Sequence, residues 1–475
     1  MNNLEDNHIF AIQPSSLGLT EDFFSTFMNS ENKLEMATRL IKENDENLMK
    51  FGIRQIRNFT DTLKKNSKIE NLIHKDCFDT VIELLLNSKD NSVIFESSWV
   101  VINITNYSSY YANYLAMSDR IKDLFELLKS LDKFLLNNHL IWIFCNLLGE
   151  SVEAHQSVTS KVDLMSFVCE HIRNEDDLPN YFKSNLFWLL GNIIKYQKAE
   201  YVEACLNIFP YVFKYLRSNL DKNLFVEALF AVEKLSNNHV KEIFDLFQKY
   251  EISLILIQYI NTKSDSYELR LIFKILIDLS WTDEYNIKIL YEANIFKIFE
   301  NFLSESLIQQ QSRQEYLTKN IFIIKDLIIV ISNFASTEIQ KVRDVLVRKT
   351  KILSYLLEVL KYTSKKEIIV EVLHVLVNSL MTEVSNIKME LLRVEIPEVF
   401  CQYLSNDDVE IQALSLKGIL NFLLYADEIM EGHNIMKVQL ESLGAVTIID
   451  NLQQSKDDEV AKISFNIMTK YFLNN

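Results

Sequence analysis

Three of the four tryptophans in this chain stand four residues ahead of an asparagine. The pairs are Trp99 and Asn103 in ESSWVVINIT, Trp142 and Asn146 in HLIWIFCNLLGE, and Trp188 and Asn192 in NLFWLLGNII. Residues four apart lie on one face of a helix, so each pair projects to the same side. An indole face attracts an ammonium or guanidinium group by about 0.5–2 kcal/mol, and an asparagine amide can both donate to and accept from an extended peptide. The pairs therefore predict a surface for a Lys- or Arg-rich peptide, with slots along the indole faces for long aliphatic stems.

These residues also have a structural interpretation. A single tryptophan in a helical repeat is more often a core residue, and an asparagine can cap or bridge neighbouring repeats. Three pairs in one frame favour binding, because a packing tryptophan does not require an asparagine four residues later. His139, three residues before Trp142, could contact the peptide or lie at the rim of the surface, and the rim is favoured.

The tryptophan frame continues along the chain at a nearly constant interval. Trp99 and Trp142 are 43 residues apart, and Trp142 and Trp188 are 46 apart. Later segments place Phe230, Lys274, Ile329, His374 and Lys417 in the same frame. A period of 42–46 residues is typical of armadillo or HEAT repeats with two or three helices. Stacked repeats bury apolar faces that one repeat cannot bury alone, and they form one long concave face.

The repeats also predict a second apolar helix. The segments are 77–88, 124–135, 208–218, 252–260, 295–303 and 352–362. One step of the frame is 55 residues long and contains the polar segment 304–319, which is expected to be an enlarged loop. The acidic runs 174–177, 405–408 and 455–458 lie at predicted helix junctions, where carboxylates favour N-caps over acid–base catalysis.

Composition excludes several other classes of protein. Seven Gly and four Pro among 475 residues are too few for a large β protein or for glycine-rich phosphate loops. A net charge of −16 disfavours a general nucleic-acid binder and suits a basic partner, although acidic charge can also serve solubility alone. Five scattered cysteines suit a reducing compartment rather than disulfides or a zinc site. No apolar run reaches the roughly 18 residues of a membrane span, and no phosphate-loop, dinucleotide or zinc-protease motif occurs, so no enzyme, metal or cofactor is predicted.

The segments FESSWVVINIT and IWIFCNLLGES and the C-terminal segment at 443–472 resemble the importin-α family of armadillo-repeat nuclear import adaptors. The resemblance runs over roughly residues 31–475 and implies an all-α, right-handed superhelical solenoid of about ten repeats. It implies that the three tryptophan–asparagine pairs form the family's major site for basic nuclear localisation signals. Glu150, where the family usually has aspartate, would bind the key lysine of the signal. The last repeat would contact the export receptor that recycles the adaptor, and the protein would occupy cytoplasm and nucleus.

The later repeats depart from the family pattern. The family has a minor peptide site with further tryptophan–asparagine pairs. At this site Ile329 and His374 replace the tryptophans. In the repeats before it, Phe230 and Lys234 replace one tryptophan–asparagine pair, and Lys274 and Asp278 occupy the next frame. Asn333 and Asn378 remain. We therefore expect an eroded minor site and a preference for signals with a single basic cluster.

The N-terminal region departs further. Residues 1–50 contain four basic residues, Lys33, Arg39, Lys42 and Lys50, and no basic cluster like the family's importin-β-binding segment. Residues 1–30 are expected to be a partly ordered leader, and residues 31–475 the solenoid. A partnership with importin-β is therefore in doubt. The alternative is an armadillo-repeat scaffold or cargo-retention protein that acts outside importin-β-dependent import.

Overall fold

A computed structural model describes residues 33–64, 68–174, 177–196, 199–217, 221–260, 266–282, 284–308, 320–381, 390–391, 396–429 and 434–473. Throughout these ranges the regular structure is helical and no strand occurs. The expected leader at 1–30 lies outside them. The chain forms two compact units, Met1–Asn238 and His239–Asn475.

The first unit contains thirteen α-helices in its described part. They are α1 (Lys33–Leu40), α2 (Glu46–Thr60), α3 (Ile69–Leu72), α4 (Lys75–Asn87), α5 (Asn91–Tyr107), α6 (Ser109–Met117), α7 (Arg120–Ser130), α8 (Phe134–Glu150), α9 (Val152–Lys161), α10 (Leu164–Arg173), α11 (Asn180–Ile194), α12 (Val202–Leu216) and α13 (Lys222–Ser236). A 3₁₀ turn at Ala199–Tyr201 precedes α12. Helices α2, α5, α8, α11 and α13 pack side by side in chain order, and we call them the frame helices of this unit.

The second unit repeats this arrangement. Its described helices are α14 (Lys241–Lys249), α15 (Ile252–Ile260), α16 (Ser266–Thr282), α17 (Glu284–Glu292), α18 (Ile295–Ile308), α19 (Ile321–Ser336), α20 (Gln340–Arg348), α21 (Ile352–Tyr362), α22 (Lys366–Leu380), α23 (Ile396–Tyr403), α24 (Val409–Ile429), α25 (Ile435–Ser442), α26 (Ala445–Leu452) and α27 (Asp458–Tyr471). Its frame helices are α16, α19, α22, α24 and α27, again packed in chain order.

The expected all-α armadillo-repeat solenoid is confirmed. Most repeats consist of a frame helix, a short helix and a second apolar helix, at the interval of an armadillo unit. The second helices occur where the sequence predicts them, although the helix predicted at 124–135 ends at Ser130. The polar segment 304–319 is not wholly a loop, because α18 continues through its first residues to Ile308. Glu305, near the C-terminal end of α18, has a high helix propensity. Residues 309–319 lie outside the described ranges.

Acidic residues begin several of these helices, as the junction runs predict. Asp457 accepts hydrogen bonds from the main-chain N–H groups of Glu459 and Val460 at 3.1 and 3.0 Å, at the start of α27. Asp408 accepts from the N–H of Glu410 at 3.1 Å, at the start of α24. An N-cap of this kind stabilises a helix by about 1 kcal/mol. The run at 174–177 falls partly outside the described residues.

Helix α24 is long and apolar enough, by length and composition alone, to cross a membrane, and 61% of its most apolar window is buried. It packs against α22, α23 and α27. Burial by neighbouring helices explains its apolar composition, so we interpret α24 as a core helix of the second unit.

Candidate functional site

The three predicted tryptophans lie together on the first unit. Trp99, Trp142 and Trp188 are each the ninth residue of their frame helices α5, α8 and α11, and each is half-buried. The ring centroids of Trp99 and Trp142 are 5.6 Å apart at an interplanar angle of 83°. Those of Trp142 and Trp188 are 6.2 Å apart at 77°. The side-by-side packing of the helices thus produces a continuous row of edge-to-face indoles, which we call the Trp ladder.

Where successive indoles meet, the expected slots along the indole faces are not open in this arrangement. A methylene stem held between two rings needs a ring separation of about 7–8 Å, twice the usual carbon–carbon contact distance. The observed centroid separations of 5.6 and 6.2 Å leave the rings in contact with each other. A cationic side chain must therefore approach the exposed edges of the ladder or rotate the indoles apart.

His139 is a support for the ladder, and its expected place at the rim is wrong. The side chain is buried, its ring stacks on Trp99 with centroids 4.9 Å apart, and its Nδ1 shares a hydrogen bond of 2.8 Å with the Ser98 hydroxyl. Burial, and secondarily the charge of Arg57, lowers the pKa of His139 to about 3. The imidazole is therefore neutral near pH 7 and fixes the Trp99 ring from below. The His139 side chain points from α8 toward the preceding frame helix, α5, and residue spacing alone does not reveal this direction.

Two of the asparagines that are paired with the ladder tryptophans, Asn103 and Asn146, bridge successive frame helices. The Nδ2 group of Asn146 donates to the main-chain oxygen of Ile102 at 3.2 Å and to the Thr105 hydroxyl at 3.1 Å. The Nδ2 group of Asn103 likewise donates to the Thr60 hydroxyl at 3.2 Å. These two asparagines therefore bridge neighbouring repeats, as their structural interpretation predicts. Within the described residues no hydrogen bond to the Asn146 Oδ1 atom occurs, so this oxygen can still accept from a peptide N–H.

Asn192 has a different environment. It is buried, and its Nδ2 group donates to the Trp188 carbonyl of its own helix at 3.0 Å. Its Oδ1 atom lies 3.5 Å from the point that a side chain at Gly149 would occupy. Asn192 therefore packs at the α8–α11 contact, beneath the exposed edge of the ladder.

Glu150 is the last residue of α8 and is half-buried. A basic residue of the chain itself lies close by, because the Lys195 ammonium donates to the Gly149 carbonyl at 3.0 Å. The same ammonium lies 4.9 Å from the centroid of the Tyr196 ring. Gly149, the residue before the carboxylate expected to select a ligand lysine, thus already contacts a positive group. A ligand ammonium must share this region with Lys195.

Arg57 also contacts the Trp ladder, although the tryptophan–asparagine pattern does not predict this contact. Its Cζ atom lies 5.7 Å from the Trp99 centroid. Its Nη1 atom forms a 3.1 Å ion pair with the fully buried Glu96, and its Nε atom is 3.6 Å from Asp61. The guanidinium therefore occupies a cation position at the first indole. The available signal was a basic residue 42 positions before Trp99, one repeat period upstream.

The opposite end of the row has a comparable arrangement. Phe230, the ninth residue of α13, follows Trp188 in the frame, and the Lys234 ammonium lies 5.1 Å from its ring centroid. That ammonium forms a 2.6 Å ion pair with Glu233. Glu227, one turn before Phe230, has its pKa raised to about 7 by burial. Its negative charge is therefore incomplete at neutral pH.

The second unit has no indole or phenyl ring in the corresponding frame positions that the structure describes on α16, α19 and α22. These positions hold Lys274, Ile329 and His374, all half-buried. The two retained asparagines bridge helices as Asn146 does. The Nδ2 group of Asn333 donates to the Ile277 carbonyl at 3.2 Å. The Nδ2 group of Asn378 donates to the Ser332 hydroxyl of the preceding frame helix at 2.9 Å.

Comparison with known proteins identifies the fold. A crystal structure of an engineered protein from the Northeast Structural Genomics Consortium superposes with a TM-score of 0.70 and 17% identity, covering 92% of this chain and 98% of that one. A designed armadillo repeat protein in complex with the peptide (KR)4 matches with a TM-score of 0.44 and 18% identity, covering 55% of this chain and 98% of that one. No protein-family model matches the chain, and neither does any curated protein sequence. The TM-score of 0.70 at 17% identity shows a shared fold and nothing further.

Proposed function

We propose that the first unit binds Lys- or Arg-rich peptides along the Trp ladder and that the protein is an importin-α-like adaptor for basic nuclear localisation signals. The observation that carries this proposal is the continuous contact of Trp99, Trp142 and Trp188 on three adjacent helices. A core tryptophan would be fully enclosed, whereas these three remain half-exposed. Each exposed indole can attract a cation by about 0.5–2 kcal/mol.

Charge and hydrogen-bonding capacity support the same proposal. The chain has a net charge of −16, which attracts a basic ligand over long range. Glu150 lies eight residues after Trp142 in the same helix, so its carboxylate can select an ammonium group beside the ladder. The Oδ1 atom of Asn146 can accept one main-chain N–H of an extended peptide.

The proposal includes several partners and a location. Asn333 and Asn378 would give the second unit at most a weak main-chain contact with cargo, because no indole stands beside them among the described residues of α19 and α22. The export receptor for importin-α would contact the repeat at 443–472, and the protein would move between cytoplasm and nucleus.

The test is titration of a fluorescent peptide with one basic cluster into the wild type, Trp142→Ala and Glu150→Gln. We expect a wild-type Kd of micromolar or below, worth about 8 kcal/mol, and at least tenfold weaker binding by both variants. Trp281→Ala is the matched aromatic control, because Trp281 lies on the second unit and is 74% exposed. Glu203→Gln is the matched charge control on the exposed side of α12. Wild-type protein that does not bind the peptide would contradict the proposal.

A second function has one observation in its favour. Arg57 places a positive group 5.7 Å from the Trp99 ring centroid, and Lys195 places one on the carbonyl of Gly149, the residue before Glu150. A basic ligand would otherwise bind in these regions. An armadillo-repeat scaffold or cargo-retention protein that binds other partners would tolerate these groups. If Trp142→Ala and Glu150→Gln leave binding of the protein's cellular partners unchanged while the basic peptide fails to bind, the scaffold function replaces the adaptor function.

A further inference from the structure

The second unit carries the most basic stretch of this acidic chain. Residues 340–351 form α20 and the short turn that follows it, and we call them the basic segment. They include five basic residues and one acidic residue, and no other stretch of twelve residues in the sequence has so large an excess of positive charge. The basic residues are Lys341, Arg343, Arg348, Lys349 and Lys351.

The two arginines are engaged within the unit. The Arg343 guanidinium donates to the Met381 carbonyl just beyond the end of α22, and Arg348 forms a 2.7 Å ion pair with Asp344. The three lysines are different, because all are exposed and none forms an ion pair with a residue that the structure describes. We call them the free lysines. They are Lys341, Lys349 and Lys351.

Packing fixes the backbone that carries the free lysines. Val342 and Leu346 bury the inner face of α20. The main-chain N–H of Lys351 donates to the Glu300 carboxylate at 2.7 Å, which ties the end of the basic segment to α18. The basic segment is therefore a preformed surface, and a ligand does not have to order it before binding.

Helix stability explains only one of the free lysines. Lys349 directly follows the last residue of α20, where a cation interacts favourably with the helix dipole. Lys341 is the second residue of α20, and Lys351 is the N-cap of α21 with no side-chain cap hydrogen bond. A cation at a helix N-terminus opposes the dipole, and an ammonium cannot accept the N–H bonds that an N-cap aspartate or serine accepts. Two free lysines thus lie where they weaken the helices they begin, which favours a binding role.

We propose that the basic segment binds a short Asp- or Glu-rich segment of a partner protein. Lys349 comes eight residues after Lys341, and at 1.5 Å per helical residue the two are about 12 Å apart along α20. An extended chain covers that distance with about four residues, so a run of about four carboxylates matches the free lysines in length and charge. A nucleic acid would continue past the segment onto a chain of net charge −16, which repels phosphates.

Titration of fluorescent peptides into the full chain tests this proposal. One peptide has four consecutive glutamates between neutral residues, and its control has four glutamines instead. At low ionic strength the wild type should bind the glutamate peptide with a Kd of about 10–100 μM and should not bind the glutamine peptide. Added salt should weaken the binding, because it screens exposed charges. The segment variant, Lys341→Gln with Lys349→Gln and Lys351→Gln, should bind at least about tenfold more weakly.

The matched control makes the same change in net charge elsewhere. It is Lys122→Gln with Lys129→Gln and Lys133→Gln, three exposed lysines of the first unit. Its affinity for the glutamate peptide should stay within about twofold of wild type, because distant exposed charges are screened. Thermal unfolding supplies a second readout. The segment variant should unfold no earlier than the control variant, since two of its lysines oppose helix dipoles.

Each contrary result has a distinct meaning. A wild type that does not bind the glutamate peptide, or equal weakening in the two triple variants, overturns the proposal. So does a segment variant that unfolds earlier than the control and still binds the peptide, because its lysines then serve the fold. A single-stranded oligothymidine that binds more tightly than the glutamate peptide, and only when the free lysines are present, would assign the surface to nucleic acid instead. Basic-peptide binding at the Trp ladder should be the same in both triple variants, so this proposal and the proposed function can fail separately.

Discussion

The side-chain amide of Asn146 donates to the main-chain oxygen of Ile102 across 3.2 Å, joining α8 to the frame helix 44 residues earlier. Asn333 makes the same bond to Ile277 at 3.2 Å in the second unit. Asn146 and Asn333 therefore each hold two successive frame helices in register. This structural role and a peptide-binding role use different atoms of the same side chain.

Asn146→Ala should lower the free energy of unfolding by about 1–2 kcal/mol, because the Ile102 carbonyl and the Thr105 hydroxyl lose a donor at a partly buried contact. Urea unfolding of the wild type and the variant measures the difference. Asn174→Ala is the control, since Asn174 is exposed and its side chain donates to the Glu170 carbonyl of its own helix at 3.1 Å. Equal midpoints for the Asn146 and Asn174 variants would show that the bridge adds no stability.

Two glycines of the frame helices should respond oppositely to alanine. A methyl group at Gly191 would lie 2.6 Å from the Phe230 ring and 3.3 Å from the Ala231 backbone, so Gly191→Ala must displace α13 or its ring, at a cost of about 1–3 kcal/mol. A methyl group at Gly149 would meet nothing closer than Asn192 at 3.5 Å. Gly149→Ala should therefore stabilise α8 by about 0.5–1 kcal/mol. Thermal unfolding of both variants measures the two effects, and a tolerated Gly191→Ala would contradict the close α11–α13 packing.

The buried His139 should make the first unit sensitive to acid. Its folded pKa of about 3 is below the ordinary value near 6.5, so between these values the unfolded state binds a proton that the folded state does not. Stability should therefore fall as pH drops through this window, by up to about 1.4 kcal/mol per unit. His139→Phe keeps a ring against Trp99 and should flatten the dependence. Urea midpoints at pH 7, 6, 5 and 4 measure it. Parallel curves for the two proteins would show that folded His139 takes up its proton at the ordinary pKa, as it does in the unfolded state.

The ladder shows how far sequence reasoning reaches in this chain. Trp99, Trp142 and Trp188 recur in one frame, and a helical repeat of constant period must then place them on adjacent helices. Their alignment follows from local periodicity and from the packing of like helices. The same reasoning gives the second apolar helices and the N-cap at Asp457, because both depend on residues close in sequence.

The contacts that decide the chemistry of the ladder are not local. Arg57 reaches Trp99 from the preceding repeat, and His139 stacks beneath the same ring. Both contacts depend on side-chain rotamers and on the distance between helices, neither of which has a signature in residue spacing. For the same reason the edge-to-face contact of Trp142 with its neighbours could not be distinguished from open slots.

Binding of a basic peptide should rotate the ladder indoles, because lysine stems need about 7–8 Å between rings and the centroids lie 5.6 and 6.2 Å apart. Tryptophan fluorescence can detect this directly. The chain has four tryptophans, so Trp281→Phe leaves only the three ladder indoles as emitters. We expect a shifted emission maximum that saturates with the same Kd as peptide anisotropy, and loss of most of the shift when Trp142→Phe is added. Saturable anisotropy without any emission change would mean that the peptide binds on the outer edges of unmoved rings, and that the ladder recognises cations without admitting their stems.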